Sequence, residues 1–316
     1  MELEFEKWHG NKNDFILTWF PHDQVTFEAL RRQAPVLCTR DGSGIGADGI
    51  LVLHTKTSRD ILPFQLSIIN SDGSLAETCG NGIRCAALSI LSKHWEQTPK
   101  VEEPEGLDLA LKSSRASVRY IGNVKESARG HLPLVAVEMG KALINQENPD
   151  FDQASSLVKK ISQELSMPQL LQDWSLVSLS NRHLIFSLDE VSPELIRKLG
   201  PIFQTSELWD GINVHIIRSK AVSDSDRSQS AQDLGQAIDE LYEAYVWERG
   251  AGETQACGSG ACAIAASIWE SGMTDRSAWL GVDMPGGRLF IKQASRDDQI
   301  TMAGPAKLAF RGKVTI

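Results

Sequence analysis

The sequence predicts an α/β (α+β) fold built twice over, and three observations carry that expectation. One motif occurs in near-copy in both halves of the chain: Asn70-Ser71-Asp72-Gly73-Ser74-Leu75-Ala76-Glu77-Thr78-Cys79-Gly80-Asn81-Gly82, and Glu248-Arg249-Gly250-Ala251-Gly252-Glu253-Thr254-Gln255-Ala256-Cys257-Gly258-Ser259-Gly260. In each copy a strand, a glycine-rich turn, a cysteine and an Ala-rich helical run follow in that order. Short β-branched or aromatic runs bounded by turn residues recur along the chain, between fewer helical stretches. Such an internal duplication predicts two similar domains facing each other, and a cleft between domains is a favoured place for a ligand.

In the first half, Phe15–Phe20, Ile50–His54 and Phe64–Ile69 read as strands and Gln24–Gln33 as a short helix. A helix follows Gly80-Asn81-Gly82 and runs to about Trp95. The acidic, turn-rich stretch Pro99–Gly106 reads as an exposed loop. Strands resume at Leu109–Ser113, Ser117–Ile121 and Leu134–Met139.

In the second half, Phe151–Ser166 reads as a helix. Leu176–Leu188 reads as strand, turn, strand around Ser180-Asn181-Arg182-His183, and Asn213–Arg218 as a further strand. Ser223–Gln232 is polar and reads as a mobile loop. Leu234, Ile238, Leu241 and Tyr245 repeat at helical spacing and predict an amphipathic surface helix, although Tyr242–Glu248 could open a strand instead. Ala261–Glu270 is the second post-cysteine helix, with Gly272 as its candidate C-cap. Trp279–Asp283, Leu289–Lys292, Gln299–Met302 and Lys307–Phe310 close the chain as strands.

Composition narrows the function. The 316 residues, 41% hydrophobic and 23% charged, suffice for one large domain or two ordinary ones. A net charge of −9 with no basic cluster argues against nucleic-acid binding. No run approaches the roughly 18 apolar residues of a membrane span. The opening Met1–His9 is charged and alternating, unlike a signal or transit peptide, so a cytoplasmic chain starting at Met1 is expected. The five cysteines, an odd number without a Cys-x-x-Cys, predict free thiols rather than disulfides or zinc.

The chemistry follows from the cysteine's place. The first N–H groups of a helix have no partner within it, and the macrodipole adds partial positive charge there. A thiol at that point is expected to ionise more easily, and a carboxylate can be held by the free N–H groups. Glycines beside Asn81 and Ser259 let backbone approach a ligand closely. Two such sulfurs on opposite faces of one carbon could remove and return a proton, with the carbanion's charge stabilised by fixed dipoles. Cys38, Cys85 and Cys262 read as small core residues; the duplicated glycine setting singles out Cys79 and Cys257. Gly44-Ile45-Gly46-Ala47-Asp48-Gly49 matches a dinucleotide fingerprint in letters only, because a strand follows it instead of a helix.

On these residues the chain resembles the diaminopimelate epimerase family, most specifically through Glu248–Gly260, and also through Thr78–Gly82 and Pro285-Gly286-Gly287-Arg288-Leu289. The resemblance implies two pseudo-symmetric domains, each a curved mixed sheet wrapped around a central helix. Residues 1–128 plus 304–316 would carry Cys79, and residues 129–303 would carry Cys257. It implies a cofactor-independent and metal-independent epimerase interconverting LL- and meso-2,6-diaminopimelate, with Cys79 and Cys257 as acid and base. His183 and Glu248 would contact the reacting α-amino group. Gly80, Asn81, Gly258 and Ser259 would hold its carboxylate, and Asn13, Asn70, Asn181, Asn213 and Arg249 would bind the substrate, several at its distal end. A homodimer is implied as well.

The chain departs from the family pattern at Lys12, where the family has glycine, and at Ser180 and Arg182, in place of Gly and Pro around Asn181 and His183. Gly49 stands where some members carry a substrate-touching glutamine. Residues 99–106 and 221–240 look inserted. Two other readings stand beside the epimerase: a racemase of another amino acid on the same fold, and a non-catalytic thiol redox sensor or ligand-binding protein, in which Cys79 and Cys257 would pair on oxidation.

Overall fold

A helix enclosed on every side is built mostly of apolar and small residues, and two helices of this chain are enclosed in that way. In a computed structural model, which describes all residues except 1, 22, 58–59, 61, 98–105, 113, 126–130, 180, 206–210 and 273, every residue from Gly80 to Leu91 is buried. In the second helix Ala261–Ala266 and Trp269 are buried with Gly258 and Gly260. The chain divides into two compact units, residues 1–138 with 303–316 and residues 139–302. Each encloses one of these helices.

In the first unit, β1 (Glu2–Gly10) and β2 (Asn13–Pro21) form a hairpin closed by Asn11 and Lys12. Both loop residues have positive φ, 53° and 63°, the conformation of a type I′ turn. Lys12 thus takes a backbone shape that glycine adopts more easily, and the turn still delivers Asn13 to the head of β2. Helix α1 (Gln24–Leu37), capped by Asp23 on Thr26 N–H, carries the chain to β3 (Gly49–Thr55), which runs parallel to β2. Strands β4 (Gln65–Asn70) and β5 (Leu75–Ala76) extend the sheet on one side, and β18 (Lys307–Thr315) pairs with β1 on the other. A meander of β6 (Leu107–Ala110), β7 (Arg115–Lys125) and β8 (His131–Glu138) completes the unit.

All seven residues of β3 are buried, as befits a strand covered on both faces. Ile50 and Val52 pack with Phe27, Leu30 and Ala34 of α1. On the opposite face lies α2 (Gly80–Gln97), which also packs on β1, β2, β7 and β8.

The second unit repeats the plan. Strands β9 (Leu143–Ile144), β10 (Trp174–Ser178), β11 (Arg182–Ser187), β12 (Asn213–Lys220), β13 (Glu240–Glu248), β15 (Leu280–Met284) and β16 (Gly287–Lys292) form one mixed sheet in that spatial order. The short β14 (Gly252–Thr254) folds back on β13, and β17 (Thr301–Pro305) carries the chain out of the unit. Helices α3 (Phe151–Glu164) and α4 (Pro193–Gln204) bury Val158, Ile161, Leu199 and Phe203 against Leu184, Phe186, Val214 and Ile216. Strand alternation then turns His183, Ile185, Asn213 and His215 to the other face, where α6 (Gly258–Glu270) packs on β9–β12 and β16.

Several sequence expectations are corrected. Ser223–Gln232 is not a loop but opens α5 (Asp224–Leu234), with Ser223 and Asp226 forming a reciprocal capping box and Gly235 ending the helix at φ 71°. The helix expected over Leu234–Tyr245 is instead the run-up to β13, a central strand paired with β12 and β15. Sheet pairing overrides the helical spacing there, and Gly235 breaks that pattern after its first residue. Helix α4 is not among the elements expected above, although Ser192-Pro193-Glu194 is a helix start, with Ser192 capping Leu195 N–H. Strand β1 was unread despite its alternation. The units separate at Glu138/Met139, ten residues past the sequence boundary, because β8 pairs with β7. The acidic loop at 99–106 lies, apart from Gly106, outside the described residues. The stretch 221–240 holds α5, which Arg288 ties to β15 by bonding both Asp226 and Asp283.

Gly200 inside α4 lies flat against Trp247 of β13: a Cβ there would sit 2.2 Å from the indole Cγ. Gly→Ala in a helix interior normally stabilises by roughly 0.5–1 kcal/mol. Gly200→Ala is expected to reverse that sign and cost about 1–3 kcal/mol through overpacking, read as a lower urea midpoint. A raised midpoint would show that Trp247 can move aside.

Candidate active site

The two cysteines occupy equivalent places. Strands β5 and β14 end at Ala76 and Thr254, just before Cys79 and Cys257, and the buried helices begin one residue after each cysteine. Gly82 N–H donates to Cys79 Sγ at 3.4 Å, and Gly260 N–H donates to Cys257 Sγ at 3.3 Å. The backbone carbonyls of Cys79 and Cys257 accept from Ile83 and Ala261. Each sulfur therefore caps one of the partnerless N–H groups of its helix.

Their surroundings differ. Cys79 is half-buried, while Cys257 is buried. The expectation of an easily ionised thiol at a helix start fails for Cys257. Burial pushes its thiol well above the ordinary range, the neighbouring Glu248 carboxylate pushes the same way, and the Ser259 hydroxyl and Gly260 N–H only partly oppose them. Desolvation outweighs the dipole, and Cys257 rests as a thiol. Glu248, the last residue of β13, is held by a short hydrogen bond from Thr254 Oγ1. Cys257 N–H points at Met284 Sδ, and Gly286 of the Pro285-Gly286-Gly287 turn donates to Gln255 O, which fixes the segment leading to the cysteine.

The second unit also gathers Asn181, Asn213 and Arg249. Asn213 Oδ1 accepts from Arg249 N–H at 2.9 Å, its Nδ2 donates to Arg182 O, and the Arg249 guanidinium donates to Asn181 Oδ1 at 3.3 Å. A Cβ at Gly211 would meet the Arg249 stem at 2.5 Å, so that glycine makes room for it. Arg182, the departure from the family pattern, turns to Asp150 in a 2.6 Å ion pair. Ser180 lies outside the described residues.

In the first unit Asn13 and Asn81 meet: Asn81 Nδ2 donates to Asn13 Oδ1 at 3.2 Å, and Asn13 Nδ2 donates to Asp48. Arg84, wholly buried one turn into α2, donates to both Asn81 Oδ1 and Asn11 Oδ1. This fixes which way round the Asn81 amide stands. Lys7, Arg40 and Asp48 form a charged cluster around Asp14, whose carboxyl is held below its ordinary range despite burial. Asn70 stands apart from these contacts and turns into the β4–β5 bend, donating to Ser74 Oγ.

Sequence reading passed over two residues here. Arg84 looked like any helical arginine until its burial was visible. His215 stands two residues after Asn213 on β12 and so shares its face. Its Nε2 lies 3.0 Å from His183 Nδ1. Both rings are fully buried; burial lowers His183 to about 3 and His215 well below its ordinary value, so both are neutral. Among the described residues no three His, Cys, Asp or Glu side chains are grouped to hold a metal, and no helix is long and apolar enough to cross a membrane.

Comparison with known proteins follows the same lines. The family model described as diaminopimelate epimerase matches residues 5–126 and 175–309. A diaminopimelate epimerase from Pseudomonas syringae pv. tomato is 32% identical with 100% of both chains covered. One from Bacillus pumilus is 29% identical over 96% of both. Among solved structures, a phenazine biosynthesis protein of the PhzF family from Bacillus anthracis superposes with TM-score 0.63 at 13% identity, covering 100% of both chains. A hydroxyproline epimerase from Agrobacterium vitis gives 0.58 at 12%, covering 99% of this chain and 92% of the other. At such identities the structures share the fold alone.

Two measurements follow from the site. Iodoacetamide near neutral pH is expected to label Cys79 first, because the other four cysteines are buried and burial raises Cys38 to about 11 and Cys85 to about 12. Peptide mapping that found Cys257 labelled ahead of Cys79 would contradict the protonated, dry setting of Cys257. The histidine pair also predicts a pH dependence. The unfolded rings take up protons as pH falls through 6.5, whereas folded His183 resists to about 3. The pair's stability contribution is therefore full above that window and lost through it, by about 1.4 kcal/mol per pH unit per ring. Urea unfolding between about pH 7 and pH 5 should show this loss in the wild type and not in a His183→Gln/His215→Gln variant.

Proposed function

The chain belongs to the diaminopimelate epimerase family, and from that premise we propose that it interconverts LL- and meso-2,6-diaminopimelate by moving one α-proton between two cysteine sulfurs. The observation that carries the reading is the repeated cap: a cysteine sulfur on the first turn of a buried helix in each unit. The reaction as proposed needs both sulfurs at one carbon. One sulfur, as thiolate, takes the Cα proton. The electron pair left on carbon spreads into the α-carboxylate, which backbone and side-chain donors of Gly80, Asn81, Gly258 and Ser259 hold. The other sulfur, as thiol, delivers its proton to the opposite face, and the sulfurs end with their roles exchanged. No cofactor takes part.

Cys257, protonated at rest, serves as the acid in the direction that begins with Cys79 as base. His183 and Glu248 contact the α-amino group. Arg249, Asn181 and Asn213, already joined by hydrogen bonds, suit a distal carboxylate, and Asn13 and Asn70 complete the contacts to substrate. We take the chain to act in the cytoplasm as a homodimer, its product feeding lysine and peptidoglycan synthesis.

The rival readings lose ground on specific residues. Arg182 is engaged by Asp150, which weakens the case for a redirected pocket in a racemase of another amino acid. A redox sensor calls for exposed, easily ionised thiols, and Cys257 is neither.

Reduced protein given LL-diaminopimelate in D2O, without added cofactor, is expected to yield meso product carrying α-deuterium. Cys79→Ala and Cys257→Ala should each abolish epimerisation with the fold intact by circular dichroism. Near-normal turnover in either variant would falsify the two-sulfur scheme, and activity confined to amino acids with a single zwitterionic end would move the assignment to the racemase.

A further inference from the structure

His215 is a residue of this site that the proposed chemistry leaves unused, and its surroundings are specific. A Cβ added at Gly260, in the first turn of α6, would lie 2.2 Å from His215 Cε1, 2.9 Å from His215 Nε2 and 3.1 Å from Cys257 Sγ. The imidazole thus rests directly on the helix start that Cys257 caps, and Gly260 has no side chain because the ring fills that space. On its other side His215 Nε2 meets His183 Nδ1. The remaining nitrogens, His183 Nε2 and His215 Nδ1, are buried without a hydrogen-bond partner.

Two neutral imidazoles carry two N–H protons between them, and one must lie in the Nδ1···Nε2 bond. If His215 Nε2 donates it, His183 Nε2 bears a proton and offers a donor. If His183 Nδ1 donates it, His183 Nε2 is a bare lone pair. The start of α6 decides between them. Its partnerless N–H groups and macrodipole put positive potential beside His215 Nε2, which disfavours an N–H there and favours a lone pair.

We infer that His215 is a positioning residue that locks His183 as the Nδ1–H tautomer, so that His183 Nε2 is a buried acceptor built for a substrate ammonium group rather than a carboxylate. The inference rests on the reaction proposed above for its substrate. It gives that reaction a reason to accept an amino acid with its α-amino group charged, the form in which the α-proton is more acidic. The partner ring works as an outer-shell orienting group, as when a second residue fixes the tautomer of a ligating histidine.

The test is the ring spectrum of 15N-histidine-labelled full-length protein by long-range 1H–15N correlation, with α-proton exchange measured on the same samples. His183 is expected as Nδ1–H in the wild type. In His215→Ala it should turn to Nε2–H, and the exchange rate should fall by at least about tenfold. His215→Gln places an amide oxygen where Nε2 stood, and should restore both the tautomer and most of the rate. Nε2–H on His183 in the wild type, an unchanged tautomer in His215→Ala, or an unaltered rate in that variant would each overturn the inference. A wild-type protein that exchanged no proton from diaminopimelate would instead defeat the proposed reaction, while the spectra still decided the tautomer.

Discussion

Burying a helix on all sides leaves its first turn as the place where its polar groups must be answered. The N–H groups there have no partner within the helix, and each one that is buried and left bare costs on the order of 1–3 kcal/mol. In α2 and α6 a cysteine sulfur answers one of them, at Gly82 and at Gly260. The glycines have separate steric reasons. A Cβ at Gly82 would come within 2.9 Å of Leu51 Cδ2, and one at Gly260 would meet His215. The Gly-x-Gly after each cysteine thus lets an enclosed helix begin tight against its sheet.

That constraint explains what the sequence could disclose. A motif that must start a buried helix is local, so its residues appear together: the strand end, the cysteine, the two glycines and the alanines behind them. The central strands were legible for a similar reason, since Ile50–Leu53 is an apolar run and Val214, Ile216 and Ile217 flank His215 in a strand buried on both faces. What escaped reading depends on distant partners. The stretch from Ser223 to Tyr245 contains a helix cap, a glycine stop and a strand, and only pairing with β12 and β15 decides where one gives way to the next. Arg84 takes its meaning from Asn11 and Asn81, one of them far back in the chain.

The protonation of Cys257 departs from expectation for the same reason. A helix start is visible in a sequence, but the depth at which it is buried is not. The dipole favours the thiolate by an amount that falls off within one turn. Complete removal from water, with the Glu248 carboxylate beside the sulfur, opposes it more strongly. His183 and His215 show the same physics with opposite charge: burial keeps a base neutral just as it keeps an acid protonated.

Duplication gives two equal caps, but the proposed proton transfer needs two unequal sulfurs, one holding a proton and one able to take it. The caps supply no difference, because the two N–H···S contacts are alike in length and position. The difference has to come from what surrounds them. Cys257 is buried beside the Glu248 carboxylate, with the neutral His215 ring packed on the same helix start. The unit that holds Cys79, which is partly open to solvent, contains instead the ion pairs that join Lys7, Asp14, Arg40 and Asp48. Acid and base roles can be assigned wherever environments push paired groups apart. Here one backbone design, used twice, is given two environments by burial, and the proposed reaction would draw its acid and its base from that difference.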